Sequence, residues 1–310
     1  MRLAIIIKIL CACSLACGLA GCGRKEAARQ KPLVVTSFFP LYDFARQIGG
    51  TNVEVRCLVP PGGDPHAAEP TPSSGELVAQ ADLVLLLGLG MDGWVKKLSA
   101  AEKKTGIVTI AADFPVHRMG NAVFAELSKE APNPDEIDPH VWLDPVLAQK
   151  LVQRITEELV KLAPAHRAEF EARSRFCLGE LKGLDQEYSA ACDKLQDRRV
   201  VTFHGAFSYL FARYHLETVG VIEPFPGDEP SAAYLRQLVD LMRKLRVKVI
   251  FAEPQLPDRP AQVIASELGG RVERLDPCET ILPDAPEATY LERQRKNLNA
   301  LRDALNPGTP

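Results

Sequence analysis

Short apolar segments alternate with helical patterns in two separate parts of the chain. Strands that alternate with helices form parallel sheets buried on both faces, and apolar β-branched runs suit such strands. The sequence therefore predicts an α/β protein with two mainly parallel four-stranded sheets and flanking helices. The eight segments are Leu33–Ser37, Val53–Leu58, Leu83–Leu87, Ile107–Ala111, Val200–Phe203, Thr218–Ile222, Val247–Ala252 and Val272–Leu275.

A helical stretch separates the two parts. Asp144 and Pro145 form the pattern of an N-cap followed by proline at the first helical position, and apolar residues then recur at helical spacing up to Leu162. A second helical pattern follows Pro164 and extends to about Gln196. We therefore expect an N-terminal lobe at 32–143, a helical segment with a long linker helix at 144–197, and a C-terminal lobe at 198–310.

The N-terminus has the pattern of a secretory leader. Arg2 and Lys8 accompany an apolar run that ends in Leu19-Ala20-Gly21-Cys22, and the run is short for a membrane span. These last four residues resemble the bacterial lipobox, whose cysteine carries the lipid. We expect a signal peptide at 1–21, a lipid-anchored Cys22 and a polar tether at 22–31; the alternative is an ordinary secreted leader with an incidental cysteine.

Charge and cysteine usage restrict the partners. The formal net charge of −3 becomes −5 when the leader leaves with Arg2 and Lys8, which gives no support to nucleic-acid binding. Four cysteines remain besides Cys22, none in CxxC spacing, so their pairing stays open and a structural role is expected. Of these, Cys278 is the one that could act as a soft ligand. The four are Cys57, Cys177, Cys192 and Cys278.

Three histidines and one aspartate follow predicted strands or the end of the first lobe. These residues are His66, His140, His204 and Asp276. Ligands gather at the carboxyl ends of parallel strands, so we expect the four side chains to meet between the lobes. Three neutral imidazoles and a carboxylate suit tetrahedral zinc, although imidazole also accepts copper, nickel or iron. Each residue taken singly could instead be a turn or strand-end residue without a ligand role.

Two glutamates compete for a place in the same site. Glu253 ends the strand Val247–Ala252, where it could be the fourth ligand or accept a hydrogen bond from His204; we favour the second role. Glu69 lies three residues past His66 and is likewise a candidate for a supporting role or for an alternative ligand. The remaining histidines are interpreted as structural, although His117 could line the mouth of the cleft. They are His117, His166 and His215.

Several motifs together resemble those of the metal-specific solute-binding proteins of bacterial ABC importers, the ZnuA-like family of zinc- and manganese-binding lipoproteins. The motifs are Ser37-Phe38-Phe39-Pro40-Leu41-Tyr42-Asp43, Asp64-Pro65-His66, Glu69-Pro70-Thr71-Pro72-Ser73, Asp138-Pro139-His140-Val141-Trp142-Leu143-Asp144-Pro145, Phe203-His204-Gly205-Ala206-Phe207, Glu229-Pro230-Ser231 and Phe251-Ala252-Glu253-Pro254-Gln255. The resemblance implies two lobes joined by one rigid helix, with the metal at their interface and an ABC transporter permease as partner. It also implies a lipid-anchored, extracytoplasmic protein, which we expect to be a monomer.

Within this family, the residue at the position of His204 separates two kinds of member. Manganese-type members usually carry glutamate there and zinc-type members carry histidine, so the resemblance implies Zn²⁺, with Mn²⁺ or iron as the alternative. Two features depart from the family pattern: the stretch from Asp113 to Ile137 contains only His117 where many zinc members have a histidine-rich loop, and Ala67-Ala68 replaces a bulkier pair.

Two other classes of function remain open from the residues alone. Three histidines could hold a catalytic zinc with an open position for water, but a fourth protein ligand would fill that position and no HExxH motif supplies a general base. We therefore expect a binding protein and not an enzyme. A surface adhesin is the third class, and adhesion alone would not require four metal ligands.

Overall fold

The computed structural model describes residues 31–98, 106–118, 136–223 and 230–306. The predicted leader, Cys22 and the tether up to residue 30 lie outside these residues. Among the described helices, none is both long and apolar enough to cross a membrane.

The first lobe is built on a parallel sheet with strand order β2-β1-β3-β4. Alternate residues of β1 enter different cores: Val34 packs into the large core shared with the helices, and Val35 into a smaller core on the opposite face. Both faces are therefore covered, as the apolar runs predict. The elements are β1 (Leu33–Thr36), α1 (Phe39–Gly49), β2 (Glu54–Cys57), α2 (Pro72–Gln80), β3 (Leu83–Leu86), α3 (Val95–Leu98) and β4 (Gly106–Thr109).

Two helices in contact with each other follow the first sheet. Helix α4 (Pro145–Leu162) begins where Oδ1 of Asp144 accepts hydrogen bonds from the backbone N–H groups of Val146 (2.8 Å) and Leu147 (3.3 Å). A 3₁₀ turn (Pro164–His166) reverses the chain, and α5 (Arg167–Cys192) is the predicted long helix that joins the lobes.

The second lobe repeats the topology of the first. Its four parallel strands have the order β6-β5-β7-β8, so both sheets place the first and third strands at their centre. The prediction of two parallel four-stranded sheets with flanking helices is confirmed. The elements are β5 (Arg199–His204), α6 (Ser208–Arg213), β6 (Glu217–Glu223), α7 (Ala232–Leu245), β7 (Val249–Ala252), α8 (Arg259–Glu267) and β8 (Arg271–Arg274).

The last helix, α9 (Tyr290–Leu305), packs on α1 of the first lobe and on the long helix α5. Its first backbone N–H donates to Oδ2 of Asp43 at 2.9 Å, and the Tyr188 hydroxyl donates to the carbonyl oxygen of Gln294 at 3.0 Å. The loop between β8 and α9 therefore runs from the second sheet back to the first lobe. This path sets the position of one side chain in the site described next.

Candidate metal centre

His66 is the most exposed of the three clustered histidines. It lies in the proline- and glycine-rich loop after β2, where its backbone N–H donates to Oδ1 of Asp64 at 2.8 Å. Its side chain keeps 19% of its surface exposed. Its Nε2 lies 3.3 Å from Oε1 of Glu279.

His140 is completely buried just before the 3₁₀ turn Val141–Leu143. Its Nδ1 lies 2.7 Å from Oδ1 of Asp138, and its backbone N–H donates to the same oxygen at 2.9 Å. Because a carboxylate can only accept, Nδ1 carries the proton and Nε2 is directed into the site. Asp138 itself accepts a hydrogen bond from the Ser208 hydroxyl of α6.

His204 is the last residue of β5 and is almost fully buried. Its Nδ1 contacts Oε1 of Glu253, which follows β7, the neighbouring strand at the centre of the second sheet. The other Glu253 oxygen accepts a hydrogen bond from Nε2 of Gln255 at 2.7 Å. Glu253 thus lies on the Nδ1 side of the ring, so Nε2 of His204 can face the other histidines. This geometry agrees with the hydrogen-bonding role favoured from the sequence.

The carboxylate among the three imidazoles is that of Glu279, in the loop between β8 and α9. Its Oε1 lies 3.0 Å from Nε2 of His140, 3.3 Å from Nε2 of His66 and 3.7 Å from Nε2 of His204. The Nε2 atoms of His140 and His204 are 3.4 Å apart. Within the described part of the chain, these four side chains form the group able to hold a metal ion.

Asp276 does not join this group, so the expectation that it lies beside the three histidines is wrong. Both of its carboxylate oxygens accept hydrogen bonds from Arg293, at 2.6 Å each, and Oδ1 also accepts the backbone N–H of Cys278 at 2.7 Å. The carboxylate is therefore used to bind a buried guanidinium on α9. The first acidic residue after β8 is not the one directed into the site.

The separations between donor atoms fit a tetrahedral ion. Zinc bonds to nitrogen and oxygen of about 2.0–2.1 Å place the corners of a tetrahedron about 3.3–3.4 Å apart. The four separations given above, 3.0, 3.3, 3.4 and 3.7 Å, lie around that value. All four donor atoms lie within 4.8 Å of one another. Small shifts of side chains would suffice to bring them to one ion.

Buried carboxylates dominate the electrostatics of the centre. Burial disfavours the charged form of His140, but Asp138 and Glu279 outweigh it and raise its pKa to about 10. The pKa of His204 is also raised, because Glu253 outweighs the same effect of burial. Burial alone would raise the pKa of Glu279, yet the neighbouring histidines hold it well below its ordinary value. With neutral imidazoles, the three carboxylates would leave an uncompensated negative charge that a divalent cation offsets.

A cavity of about 50 Å³ adjoins the centre on the side of His66. Its wall includes Pro65, Leu256 and Thr280 together with three residues of the centre, His66, His204 and Glu279. His140 and His204 are buried, so His66 is the histidine of the group that is open to solvent.

The other residues singled out from the sequence lie outside the group of four. Glu69 is exposed. His117 stacks on Tyr209, with ring centroids 4.0 Å apart, and its Nδ1 lies 3.2 Å from the Ser208 hydroxyl, so it packs beside Asp138. Cys278 is buried with its thiol toward the carbonyl of Asp276. All four described cysteines are free thiols.

Sequence reasoning missed Glu279 and the role of Asp138. Asp138 could have been found, because it lies two residues before His140 and a carboxylate at that spacing commonly supports a ligand histidine. Glu279 gave a weaker signal, because it lies three positions beyond Asp276, which is the first acidic residue after the strand.

Comparisons with known proteins identify the relatives of this chain. The profile of the family described as ZnuA, zinc-uptake complex component A, periplasmic, matches residues 34–304. The high-affinity zinc uptake system protein ZnuA of Bacillus subtilis is 33% identical over 321 residues, which cover 96% of each chain. The Zn(II)-bound ZnuA-like domain of Streptococcus pneumoniae AdcA superposes with a TM-score of 0.75 at 29% identity, over 89% of this chain and 99% of that domain.

A third relative is described as having two activities. The laminin-binding protein Lmb of Streptococcus agalactiae, described as a bifunctional protein with adhesin and metal transporting activity, superposes with a TM-score of 0.77 at 29% identity, over 89% of this chain and all of that one. The family profile covers most of the chain, and the matched structures share its two-lobe fold. The chain belongs to the ZnuA family of periplasmic zinc-uptake components.

Proposed function

We propose that this protein captures a zinc ion outside the cytoplasmic membrane and delivers it to an ABC importer. The ion would be bound by Nε2 of His66, His140 and His204 and by the carboxylate of Glu279. The observation that carries the proposal is the convergence of three Nε2 atoms on one buried carboxylate oxygen, at 3.0–3.7 Å. Proteins of the ZnuA family work with ABC importers, and the ion is cargo and not a cofactor.

The chemistry of the donors favours zinc over manganese. Three nitrogen donors and one carboxylate are a typical set for four-coordinate zinc, whereas manganese favours oxygen donors and more of them. The proposal agrees with the names of the relatives, which include a zinc uptake protein and a Zn(II)-bound domain. Mn²⁺ and iron remain the alternative cargo, because a divalent site of this kind also binds them with lower affinity.

Two observations favour binding over hydrolysis. All four positions of a tetrahedral ion are supplied by side chains of the protein, so no position is left for an activated water. The two carboxylates nearest the group, Asp138 and Glu253, are engaged with Nδ1 of the histidines, so neither is free to act as a general base. The matched relatives are metal-binding transport proteins.

The cellular setting is part of the same proposal. Cys22 would carry the lipid anchor, and the tether would hold the folded part near a permease at the membrane. We propose that the protein acts as a monomer with this permease as its partner.

The test is equilibrium competition for Zn²⁺ between the purified protein and a chelator of known affinity. We expect His140→Ala, His204→Ala and Glu279→Gln each to lower the affinity by on the order of 100-fold or more, because each removes a donor. His166→Ala is the matched control, since that histidine lies on the turn before α5 with 42% of its side chain exposed, outside the group of four. Unchanged affinity in the three variants would contradict the ligand set, and elemental analysis of protein isolated from its own envelope would identify the cargo.

A further inference from the structure

The loop that carries Glu279 contains a backbone conformation that needs support. Cys278, the residue directly before it, has φ of 55°, in the left-handed region that residues other than glycine seldom adopt. Such a conformation persists only where the surroundings impose it. Whatever holds this loop also determines where the Glu279 carboxylate lies.

Arg293 holds the loop on both sides of Glu279. Its Nε and Nη2 donate to the two carboxylate oxygens of Asp276 at 2.6 Å each, and its Nη1 donates to the carbonyl oxygen of Thr280 at 2.7 Å. One guanidinium therefore joins the residue three positions before Glu279 to the residue directly after it. A planar donor set with this fixed geometry cannot be reproduced by lysine.

Arg293 is itself held in place by its neighbours. Arg293 belongs to the first turns of α9, is 2% exposed, and lies over the ring of Phe39 with 4.4 Å between its Cζ and the ring centroid. The backbone N–H of Phe39 in turn donates to the carbonyl oxygen of Glu279 at 3.4 Å. Asn297, one helical turn further, pairs through Oδ1 and Nδ2 with the backbone N–H and carbonyl of Asp276 at 2.7 and 2.6 Å.

We propose that Arg293, with Asp276 as its partner, is a positioning residue of the metal centre: it fixes Glu279 so that one oxygen faces the three imidazoles, and it thereby favours four-coordinate zinc over ions that require more donors. The inference rests on the proposed function and extends it to metal selectivity. Asp276 acts through the loop and does not contact the ion.

The selectivity follows from the freedom of one carboxylate. A carboxylate that can rotate or shift offers a second oxygen, which helps manganese reach its preferred higher coordination number and brings nothing to tetrahedral zinc. A loop held at both ends of a short segment limits that freedom. Releasing the loop should therefore weaken zinc binding more than manganese binding.

The experiment measures Zn²⁺ and Mn²⁺ affinities of Asp276→Asn, Arg293→Met and Arg293→Lys, each alone and combined with Glu279→Gln. We expect Asp276→Asn and Arg293→Met to lower zinc affinity about 10- to 100-fold, as for other groups that orient a ligand, with a smaller change for manganese. Arg293→Lys should fall between these variants and the native protein. In the Glu279→Gln background the same substitutions should cause no further loss.

A spectroscopic measurement separates positioning from general stability. Co²⁺ bound to the native protein should give the intense visible absorption of a tetrahedral site, and Arg293→Met should weaken and shift it. Arg295→Met is the matched control: it removes an arginine from the same helix, where Arg295 pairs at the surface with Glu180 and Glu187. This control should keep both the affinities and the cobalt spectrum.

The outcomes distinguish the ligand set from the positioning role of Arg293. If Glu279→Gln leaves zinc affinity unchanged, the ligand set of the proposed function fails. If Glu279→Gln lowers affinity while Asp276→Asn and Arg293→Met do not, or if their losses persist in the Glu279→Gln background, only the positioning role is overturned. Should Arg293→Met fail to fold, the near-isosteric Asp276→Asn carries the same comparison.

Discussion

Nδ1 of His140 lies 2.7 Å from Oδ1 of Asp138, and both side chains are buried. This pair fixes the tautomer of the imidazole and makes its Nε2 a better donor to a cation. The Ser208 hydroxyl, from the second lobe, binds the other carboxylate oxygen, so the orientation of a first-lobe histidine depends on both lobes.

Asp138→Asn should therefore weaken zinc binding although the residue does not face the ion. We expect a loss of about 10- to 100-fold in affinity, because a neutral amide supports the imidazole less well and can present N–H in place of an acceptor. Chelator competition measures the change. Asp113→Asn is the control, since Asp113 is exposed and pairs with Arg154 at the surface; equal losses in both variants would contradict the role of Asp138.

Zinc binding should release protons and strengthen with rising pH. The pKa of His140 in the metal-free protein is raised to about 10, so at pH 7 its imidazole is protonated, whereas a metal bond requires the neutral form. Each proton displaced makes the apparent affinity increase with pH below that pKa. Calorimetry in buffers of different ionisation enthalpy would measure the number released, and a binding heat that is identical in all buffers would refute the prediction.

Two of the histidines proposed as ligands should differ in their effect on the metal-free fold. His140→Ala removes the imidazole that pairs with the buried Asp138 carboxylate and should lower the free energy of unfolding by about 3–5 kcal/mol. His66→Ala alters a partly exposed loop residue and should cost less than about 1 kcal/mol. Urea unfolding in the presence of a chelator measures both. Similar losses in the two variants would show that burial does not control the difference.

The fold was predictable because its physical signals are local. Strands buried on both faces must be mostly apolar; Leu83–Leu86 is entirely so, and Leu33–Thr36 is apolar except for its last residue, Thr36. His204 could be placed because it ends a strand, and strand ends of a parallel sheet are where ligands gather. His66 was placed by the same reasoning.

The fourth donor was not predictable from strand ends, because its position depends on residues far apart in the sequence. Arg293 lies seventeen positions after Asp276 and binds its carboxylate, and Cys278, directly before Glu279, has a left-handed backbone conformation. The sequence contains both Asp276 and Glu279 but does not show which of the two pairs with a buried arginine. Such assignments require the tertiary structure.

Asp144 offers a test that separates the fold from the site. Its Oδ1 caps α4 by accepting the backbone N–H groups of Val146 and Leu147, and it also accepts a hydrogen bond from Nε of Arg213 on α6. Asp144→Ala should lower the free energy of unfolding by about 1–2 kcal/mol, because the cap and the ion pair are both lost. Zinc affinity should not change, because Asp144 does not belong to the group of four donors.

Two further variants separate the two roles of Asp144. Asp144→Ser keeps an oxygen that can cap the helix and should recover most of the lost stability, whereas Arg213→Met removes the ion pair alone and should cost about 1 kcal/mol or less. Urea midpoints measured with a chelator present, together with zinc competition on the same samples, report both quantities. A fall in zinc affinity for Asp144→Ala would mean that the start of α4 also orients His140, four residues earlier, and that the fold and the centre are coupled there.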